Sequence, residues 1–318
     1  MDTNREPGKE DIINAAERIL PYIHRTPVLT CSAIDEIAGA NIYFKCENLQ
    51  KAGAFKSRGA VNAVFSFDPY DIKQGVATHS SGNHAAALAR AARLKHIPAY
   101  IVMPENSSKV KVAAVKNYGG QITFCKSTLE AREEKLNEVL KETNAFEIHP
   151  YNNYAIICGQ ATAALELVED FRDLDTIIAP VGGGGLLSGT ALAAHFFSPS
   201  TQVIAAEPSG ADDAYQSFYQ KKFVPSISPD TIADGLRTSL GSLTFPIIRR
   251  LVHDIITAND QATIEAMKLV WERMKIIIEP SSAVALAIVL KHKHRFEGQK
   301  IGIIISGGNV DLMHLPWL

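Results

Sequence analysis

One lysine of the sequence stands where a lysine is electrostatically out of place. Lys56 lies in the stretch KAGAFKSRGAVNAV, Lys51 to Val64, at the start of a predicted helix. The positive end of a helix dipole favours anions, so this position is expected to lower the pKa of the Lys56 ammonium group. An amine that loses its proton easily is suited to act as a nucleophile. The sequence therefore indicates Lys56 as a candidate catalytic residue, with a simple place at a helix end as the alternative.

Four consecutive glycines, Gly182 to Gly185, follow the predicted strand TIIAPV and open a helical pattern. Glycine reaches backbone conformations closed to other residues, and neighbouring amides at a helix N-terminus can face one anion. The loop lacks the GxxxxGK[ST] of a P-loop and the GxGxxG of a dinucleotide site, which disfavours nucleoside triphosphate as the main ligand and NAD. A plain tight turn would need only one or two glycines. We therefore predict a phosphate-binding loop.

Small polar residues follow two other predicted strands. Ser80 to Asn83 follow the strand in GVATHS, and Ser306 to Leu312, SGGNVDL, follow the apolar run IGIII. A helix cap would need only one Ser or Asn. Four small polar residues in a row can bind a carboxylate or a second phosphate through amides and hydroxyls. Because ligands of an open α/β sheet gather at the carboxyl ends of the strands, we expect all three loops to converge on one crevice.

The elements that must position these loops alternate between strand and helix along almost the whole chain. Such alternation predicts parallel sheets with helices on both faces, and the predicted strands are apolar enough to be buried. The expected fold class is therefore α/β. The least regular segment, Lys221 to Pro246, is rich in Pro, Ser and Gly, and we expect it to wrap the surface near the site.

The bulk composition excludes several classes of protein. The chain has 318 residues, 46% of them hydrophobic, which allows a large core and two domains. The net charge is −2 without a basic stripe, so neither nucleic acid nor a membrane surface is an expected partner. Four scattered cysteines without a CxxC motif predict buried thiols in a reducing compartment. We see no signal peptide and no apolar run of ~20 residues, and so expect a cytoplasmic protein.

Four motifs together carry a family resemblance. The lysine in GAFKSRGA, then SSGNH, GGGG and SGGNVDL, in this order, resemble the fold-type II pyridoxal-phosphate (PLP) enzymes. Within them, Arg25 to Leu312 most resemble the serine racemase and serine/threonine dehydratase family. The stretches AAEPSGADDAYQS, TIADGLRTSLG and LVWERMKIIIEPSSAV are closest to the serine racemases.

The resemblance implies the architecture of the tryptophan synthase β-like fold. Two three-layer αβα domains hold the cofactor in the crevice between them. The large PLP-binding domain consists of residues 1–74 and 151–318, and residues 75–150 form a small mobile domain. Closure of the small domain would carry the SSGNH loop onto the substrate and exclude water. The resemblance also implies a homodimer.

The resemblance implies a role for each residue of the site. Lys56 binds the cofactor covalently, and Phe55 and Gly235 cover the two faces of its ring. The other cofactor-binding positions are Asn83 at the ring hydroxyl, Ser306 at the ring nitrogen, Glu279 near the cofactor, and Gly182, Gly183, Gly184 and Gly185 at the phosphate. The substrate-binding positions are Ser80, Ser81, Gly82, Asn83, His84 and Arg132. Ser81 is implied as the acid/base on the face of the substrate opposite Lys56.

Two further ligands follow from the resemblance. Glu207, the Ala211 carbonyl and Asp213 match the divalent-cation site of the family, and oxygen ligands suit Mg²⁺ or Ca²⁺. From spacing alone, the two carboxylates would only cap and solvate the start of a helix. Some family members bind ATP as an activator between subunits, at positions that correspond here to Lys51, Tyr118, Lys275 and Asn309. Ala52 and Ala86 depart from that pattern, because the animal enzymes have polar residues there.

The activity implied by the resemblance is serine racemisation with β-elimination, which interconverts L- and D-serine and forms pyruvate and ammonia from this small hydroxy amino acid. The alternative is a catabolic L-threonine/L-serine dehydratase or a 3-hydroxyaspartate dehydratase. These enzymes share Lys56 and the glycine loop, and many have a serine at the position of Ser81, so Ser81 does not decide between them. A non-catalytic sensor on the same fold is disfavoured by the intact Lys56.

Overall fold

The computed structural model of the protein describes residues 5–80 and 82–318. Its helices are α1 (Lys9–Ile19), α2 (Ser32–Ala38), α3 (Lys56–Ser66), α4 (Asn83–Leu94), α5 (Lys109–Asn117), α6 (Leu129–Thr143), α7 (Tyr154–Asp170), α8 (Gly185–Phe197), α9 (Asp213–Gln220), α10 (Thr244–Leu251), α11 (Asp260–Met274), α12 (Pro280–Lys291) and α13 (Lys293–Phe296). Its strands are β1 (Val28–Leu29), β2 (Asn41–Cys46), β3 (Val76–His79), β4 (Ala99–Pro104), β5 (Gln121–Cys125), β6 (Phe146–Glu147), β7 (Thr176–Pro180), β8 (Gln202–Pro208), β9 (Asp254–Ala258) and β10 (Lys300–Ile305).

The strands form two sheets. The larger has the order β1-β2-β10-β7-β8-β9 and the smaller the order β5-β4-β3-β6. All neighbouring strands are parallel except β1 and β2 at one edge. The predicted α/β class with parallel sheets is therefore confirmed. The sequence did not predict β1 and β6, because two residues are too few to show a strand pattern.

Both faces of the six-stranded sheet are covered by helices. Along β10, Ile303 and Ile305 pack into the cluster that contains α12, whereas Ile304 points into the cluster of α7 and α8. This alternation follows from the period of two in a strand. On the four-stranded sheet, Val76 belongs to the cluster with α4 and Ala77 to the cluster with α6. Each sheet therefore has a core on both faces, as the apolar strands predicted.

Helices α3, α7 and α8 cross each other at glycines. A Cβ atom on Gly159 of α7 would lie 2.5 Å from the Cα atom of Gly59 in α3. A Cβ atom on Gly189 of α8 would lie 2.6 Å from the backbone nitrogen of Ala161 in α7. Only glycine allows such close backbone contact. These crossings fix α3, which begins with Lys56, and α8, which follows the glycine loop, against the same helix.

The segment predicted to be irregular, Lys221 to Pro246, contains a single short 3₁₀ helix, Asp234–Leu236, over residues 221–243. The prediction is confirmed there but wrong for residues 244–246, which form the start of α10. Within residues 5–80 and 82–318, every helix is too short or too polar to cross a lipid bilayer. The division into domains at residues 75 and 150 stays a prediction.

Candidate active site

Lys56 is the first residue of α3 and lies beneath the turn that precedes α7. Its Nζ atom donates a hydrogen bond to the carbonyl oxygen of Pro150 at 2.8 Å and lies 5.2 Å from the ring centroid of Phe55. Burial lowers the pKa of Lys56 to about 8. The direction agrees with the sequence-based expectation, and burial is its cause. With a pKa of about 8, roughly a tenth of this amine is neutral at pH 7.

The glycine loop follows β7 and ends at the start of α8. Gly182 to Gly185 are buried, and the amides of Gly182, Gly183 and Gly184 donate no hydrogen bond to any described residue. Gly184 has a φ of +87°, and a Cβ atom on Gly183 would lie 2.3 Å from a ring carbon of Tyr151. Buried amides normally have a partner. Unpaired amides at the N-terminus of a helix fit the phosphate of PLP.

Asn83, Glu279 and Asn309 form one hydrogen-bonded group. Asn83 Nδ2 donates to Glu279 Oε1 at 2.8 Å, and Asn309 Nδ2 donates to Asn83 Oδ1 at 2.9 Å. The backbone amide of Asn309 donates to Glu279 Oε2 at 3.2 Å. Burial raises the pKa of Glu279 to about 7. The structure thus brings the start of α4, the start of α12 and the loop after β10 together.

The remaining predicted cofactor residues lie beside hydroxyl partners. Ser306 Oγ is 3.0 Å from Ser282 Oγ in a buried pair. The backbone amide of Gly235 donates to Ser281 Oγ at 3.0 Å. Both partners belong to the first turn of α12, so this turn positions two segments of the site.

The predicted substrate loop connects β3 to α4. Ser80 donates its backbone amide to the carbonyl oxygen of Val102 at 3.0 Å, and Gly82 donates to Ser80 Oγ at 3.4 Å. An imidazole nitrogen of His84, Nε2, lies 3.1 Å from the carbonyl oxygen of Ile148, and burial lowers the pKa of His84 well below its usual range. Ser81, the predicted second acid/base, lies outside the described residues.

Two histidines that the sequence analysis missed line the same region. The rings of His79 and His149 are 6.1 Å apart, and burial lowers the pKa of each to about 4. Arg132 lies close enough to His79 for its positive charge to lower the pKa of that histidine further. Both imidazoles are therefore neutral at pH 7. Their only sequence signal is that His79 ends a strand and His149 precedes Pro150.

Tyr151 was also missed. Its ring lies against Gly183 and makes an edge contact with His149, with ring centroids 4.6 Å apart. Burial raises the pKa of Tyr151 to about 12, so the phenol stays protonated. Tyr151 thereby fills the space between the glycine loop and the two histidines.

The predicted cation ligands meet at the start of α9. Glu207 accepts the backbone amides of Ala214 and Tyr215 at 2.8 and 2.7 Å, and Ala211 is buried nearby in the chain. Both carboxylate oxygens of Asp213 are buried without a hydrogen bond of normal geometry to a described residue, although the Ser226 side chain and the Leu240 amide lie near enough to lower the pKa of that carboxyl. Burial raises the pKa of Glu207 well above its usual range and that of Asp213 to about 7.

Unpaired buried oxygens fit a divalent cation. The described residues hold no cluster of three or more His, Cys, Asp and Glu side chains able to bind a metal. A cation between Glu207 and Asp213 would therefore need carbonyl or water oxygens as further ligands, as the predicted Ala211 carbonyl provides.

Two of the four predicted ATP positions, Lys51 and Asn309, lie on neighbouring segments. Asn309 Nδ2 donates to the carbonyl oxygen of Ala52 at 2.8 Å, which places it next to Lys51. Tyr118 packs against the core of the four-stranded sheet that also contacts Ala52. Lys275 follows α11, and its Nζ atom donates to the carbonyl oxygen of Glu272 in the last turn of that helix at 2.6 Å.

Comparison with known proteins identifies the family of this chain. The family described as "Pyridoxal-phosphate dependent enzyme" matches residues 19–307. The chain is 53% identical to a serine racemase of Dictyostelium discoideum over 308 residues, 95% of each chain. It is 49% identical to a beta-hydroxyaspartate dehydratase of Paracoccus denitrificans over 311 residues, 98% of this chain and 99% of the relative. The structure of maize serine racemase superposes with a TM-score of 0.95 at 49% identity, covering 97% of this chain and 95% of that chain. The chain therefore belongs to the family of pyridoxal-phosphate-dependent enzymes, with the fold-type II architecture.

Proposed function

We propose that this protein is a serine racemase that also eliminates water from serine, interconverting L- and D-serine and forming pyruvate and ammonia. One observation carries the proposal: Lys56 donates a hydrogen bond to the Pro150 carbonyl, and the next residue, Tyr151, packs against a glycine loop whose buried amides have no hydrogen-bond partner among the described residues. The 53% identity to a serine racemase supports serine as the substrate.

PLP, when bound, draws electrons from the α-carbon of the amino acid and so makes its proton acidic. The amides of Gly182 to Gly185 would hold its phosphate, and Asn83 and Ser306 would bind its ring hydroxyl and ring nitrogen. Ser306 is a neutral hydroxyl paired with Ser282, so it would offer the ring nitrogen a hydroxyl and not a carboxylate. Such a neutral partner would favour elimination or rapid return of the proton over transamination.

Racemisation requires a proton donor and acceptor on each face of the α-carbon. Lys56 serves one face, because burial keeps part of its amine neutral. Ser81 serves the other face. Elimination needs only Lys56 for the α-proton, together with an acid for the departing hydroxyl, which the phosphate would supply if the cofactor were bound.

The Ser81→Ala variant tests the assignment of the two faces. Racemisation of L-serine is expected to fall by roughly a hundredfold or more, whereas part of the L-serine elimination remains. D-serine and pyruvate are measured separately, with Ser66→Ala at the far end of α3 as a remote control. An equal fall of both rates would show that the two faces are not divided between Lys56 and Ser81.

The second candidate function is a dehydratase for 3-hydroxyaspartate, or for threonine and serine. The position of Arg132 favours it, because a guanidinium acting on His79 could receive a second carboxylate of the substrate. The 49% identity to the Paracoccus enzyme also supports it. Turnover of L-serine, L-threonine and 3-hydroxyaspartate with PLP and Mg²⁺ separates the candidates: pyruvate without D-serine, or 3-hydroxyaspartate turned over fastest, favours the dehydratase.

A divalent cation, Mg²⁺ or Ca²⁺, binds between Glu207, Asp213 and the carbonyl of Ala211. The unpaired oxygens of Asp213 support this site. Mg²⁺ at a hundred times its Kd is expected to stabilise the protein by about 2.7 kcal/mol. Thermal unfolding with Mg²⁺ or EDTA measures this, and Asp213→Asn should lose the difference. Asp212→Asn, one residue earlier and bound to Gln216, is the matched control. An equal gain in Asp213→Asn would place the cation elsewhere.

The remaining parts of the proposal rest on the family resemblance. The protein acts as a cytoplasmic homodimer, and residues 75–150 close over the substrate. ATP binds as an activator at Lys51, Tyr118, Lys275 and Asn309. The bond from Asn309 to Ala52 supports part of this site, whereas Ala52 and Ala86 offer no polar side chains to a nucleotide.

A further inference from the structure

Thr244 connects the glycine loop to the irregular segment before α10. It is the first residue of α10 and is fully buried. Its Oγ1 atom accepts the backbone amide of Gly241 at 2.8 Å. Two carbonyl oxygens lie within reach of its proton, that of Gly183 at 2.9 Å and that of Gly241 at 3.2 Å, and the shorter bond is the one to Gly183. One hydroxyl therefore ties two loops together.

The hydrogen bond from Thr244 to the Gly183 carbonyl also orients the N–H group of Gly184. The carbonyl of Gly183 and the amide of Gly184 belong to one planar peptide unit and point in opposite directions. A hydrogen bond that holds the oxygen therefore also aims the N–H group of Gly184. That N–H group is one of the three amides of the loop that donate to no described residue. Thr244 also crowds Gly184, since a Cβ atom there would lie 2.8 Å from Thr244 Oγ1.

Asn152 holds the same segment from the other side. Its Oδ1 atom accepts the backbone amide of Leu243 at 2.8 Å, and its Nδ2 atom donates to Ser242 Oγ at 3.1 Å. Gly241 has no room for a side chain, because a Cβ atom would lie 2.4 Å from Asn152 Oδ1. Residues 241–244 thus join the turn after Pro150 to the glycine loop. The carbonyl of Pro150 is the one that accepts the hydrogen bond of Lys56.

We propose that Thr244 is a positioning residue for the cofactor phosphate, and that its hydroxyl aims the Gly184 amide into the phosphate site. The proposal rests on the proposed function, since it requires PLP in the glycine loop. Thr244 itself touches no reacting atom.

The Thr244→Val variant keeps nearly the same shape but removes both hydrogen bonds. We expect the Kd of PLP for the apoenzyme to rise about tenfold, because the peptide between Gly183 and Gly184 loses its fixed orientation. The Kd is measured by the change of cofactor absorbance, and phosphorus NMR of the bound cofactor should show a shifted phosphate signal. Thr244→Ser keeps the hydroxyl and should bind PLP like the unaltered protein.

Thr201→Val is the matched structural control. Thr201 is a buried threonine whose hydroxyl donates to the carbonyl oxygen of Leu174 at 2.8 Å. It precedes β8 and so lies at the opposite end of the sheet from the glycine loop. The Thr201→Val substitution should lower the stability of the protein without changing the Kd of PLP. If Thr244→Val bound PLP as tightly as the unaltered protein, or if Thr244→Ser were equally impaired, the inference would be wrong. Failure of the unaltered protein to bind PLP would instead overturn the proposed function.

Discussion

The Lys56→Ala variant is expected to lose serine turnover by roughly a thousandfold or more, because it removes the amine that we propose binds the cofactor and takes the α-proton. The visible absorbance of covalently held cofactor should disappear with it. PLP should still bind without a covalent bond, since the amides of the glycine loop are unchanged. Activity, absorbance and the mass of borohydride-treated protein are the measurements.

Lys73→Ala is the control for this variant, because Lys73 is exposed and lies over the ring of Tyr70. It should keep both turnover and absorbance. A cofactor still bound covalently in Lys56→Ala would mean that another lysine is the reactive one.

The Arg58→Met variant is expected to lower the free energy of unfolding by about 3 to 5 kcal/mol. Arg58 Nε and Nη1 donate to Glu47 and Glu166, both at 2.7 Å, and the arginine is fully buried. Lys45 Nζ contacts Glu166 at 2.5 Å. Two buried carboxylates thus face two buried cations. Without Arg58, one of these negative charges stays in the interior uncompensated. Denaturant unfolding measures the loss.

Arg25→Met provides the comparison. Arg25 pairs with Glu169 and Asp170 at 3.0 and 2.7 Å, but all three side chains are well exposed. Exposed ion pairs contribute at most about 1 kcal/mol. Equal losses in the two variants would contradict the assigned cost of an unpaired buried charge.

Much of this architecture could be predicted from the sequence, because it depends on local patterns. The apolar runs of β7, β8 and β10 and the helices between them require parallel sheets. Parallel strands place their carboxyl ends on one edge, so the loops at Gly182 and Ser306 must lie near each other.

The rest depends on contacts between distant parts of the chain. The sequence around Arg58 does not show that this arginine is buried, because charged residues are normally exposed. It also does not show that Glu47 and Glu166 neutralise its charge. In the same way, Thr244 is one threonine among several, and only the packed structure joins it to Gly183. The two-residue strands β1 and β6 form because longer neighbours offer them backbone partners.

The glycine crossings of α3, α7 and α8 have a consequence for the spacing of the reactive groups. Lys56 and the glycine loop are each attached to a helix that touches α7 backbone to backbone, at Gly159 and at Gly189. Their separation is therefore set by a stack of three helices and not by the flexible loops around them. Any side chain added at either crossing would spread this stack and pull the amine away from the amides. Gly159 and Gly189 thus set the distance between the amine and the amides through contacts with helix backbone.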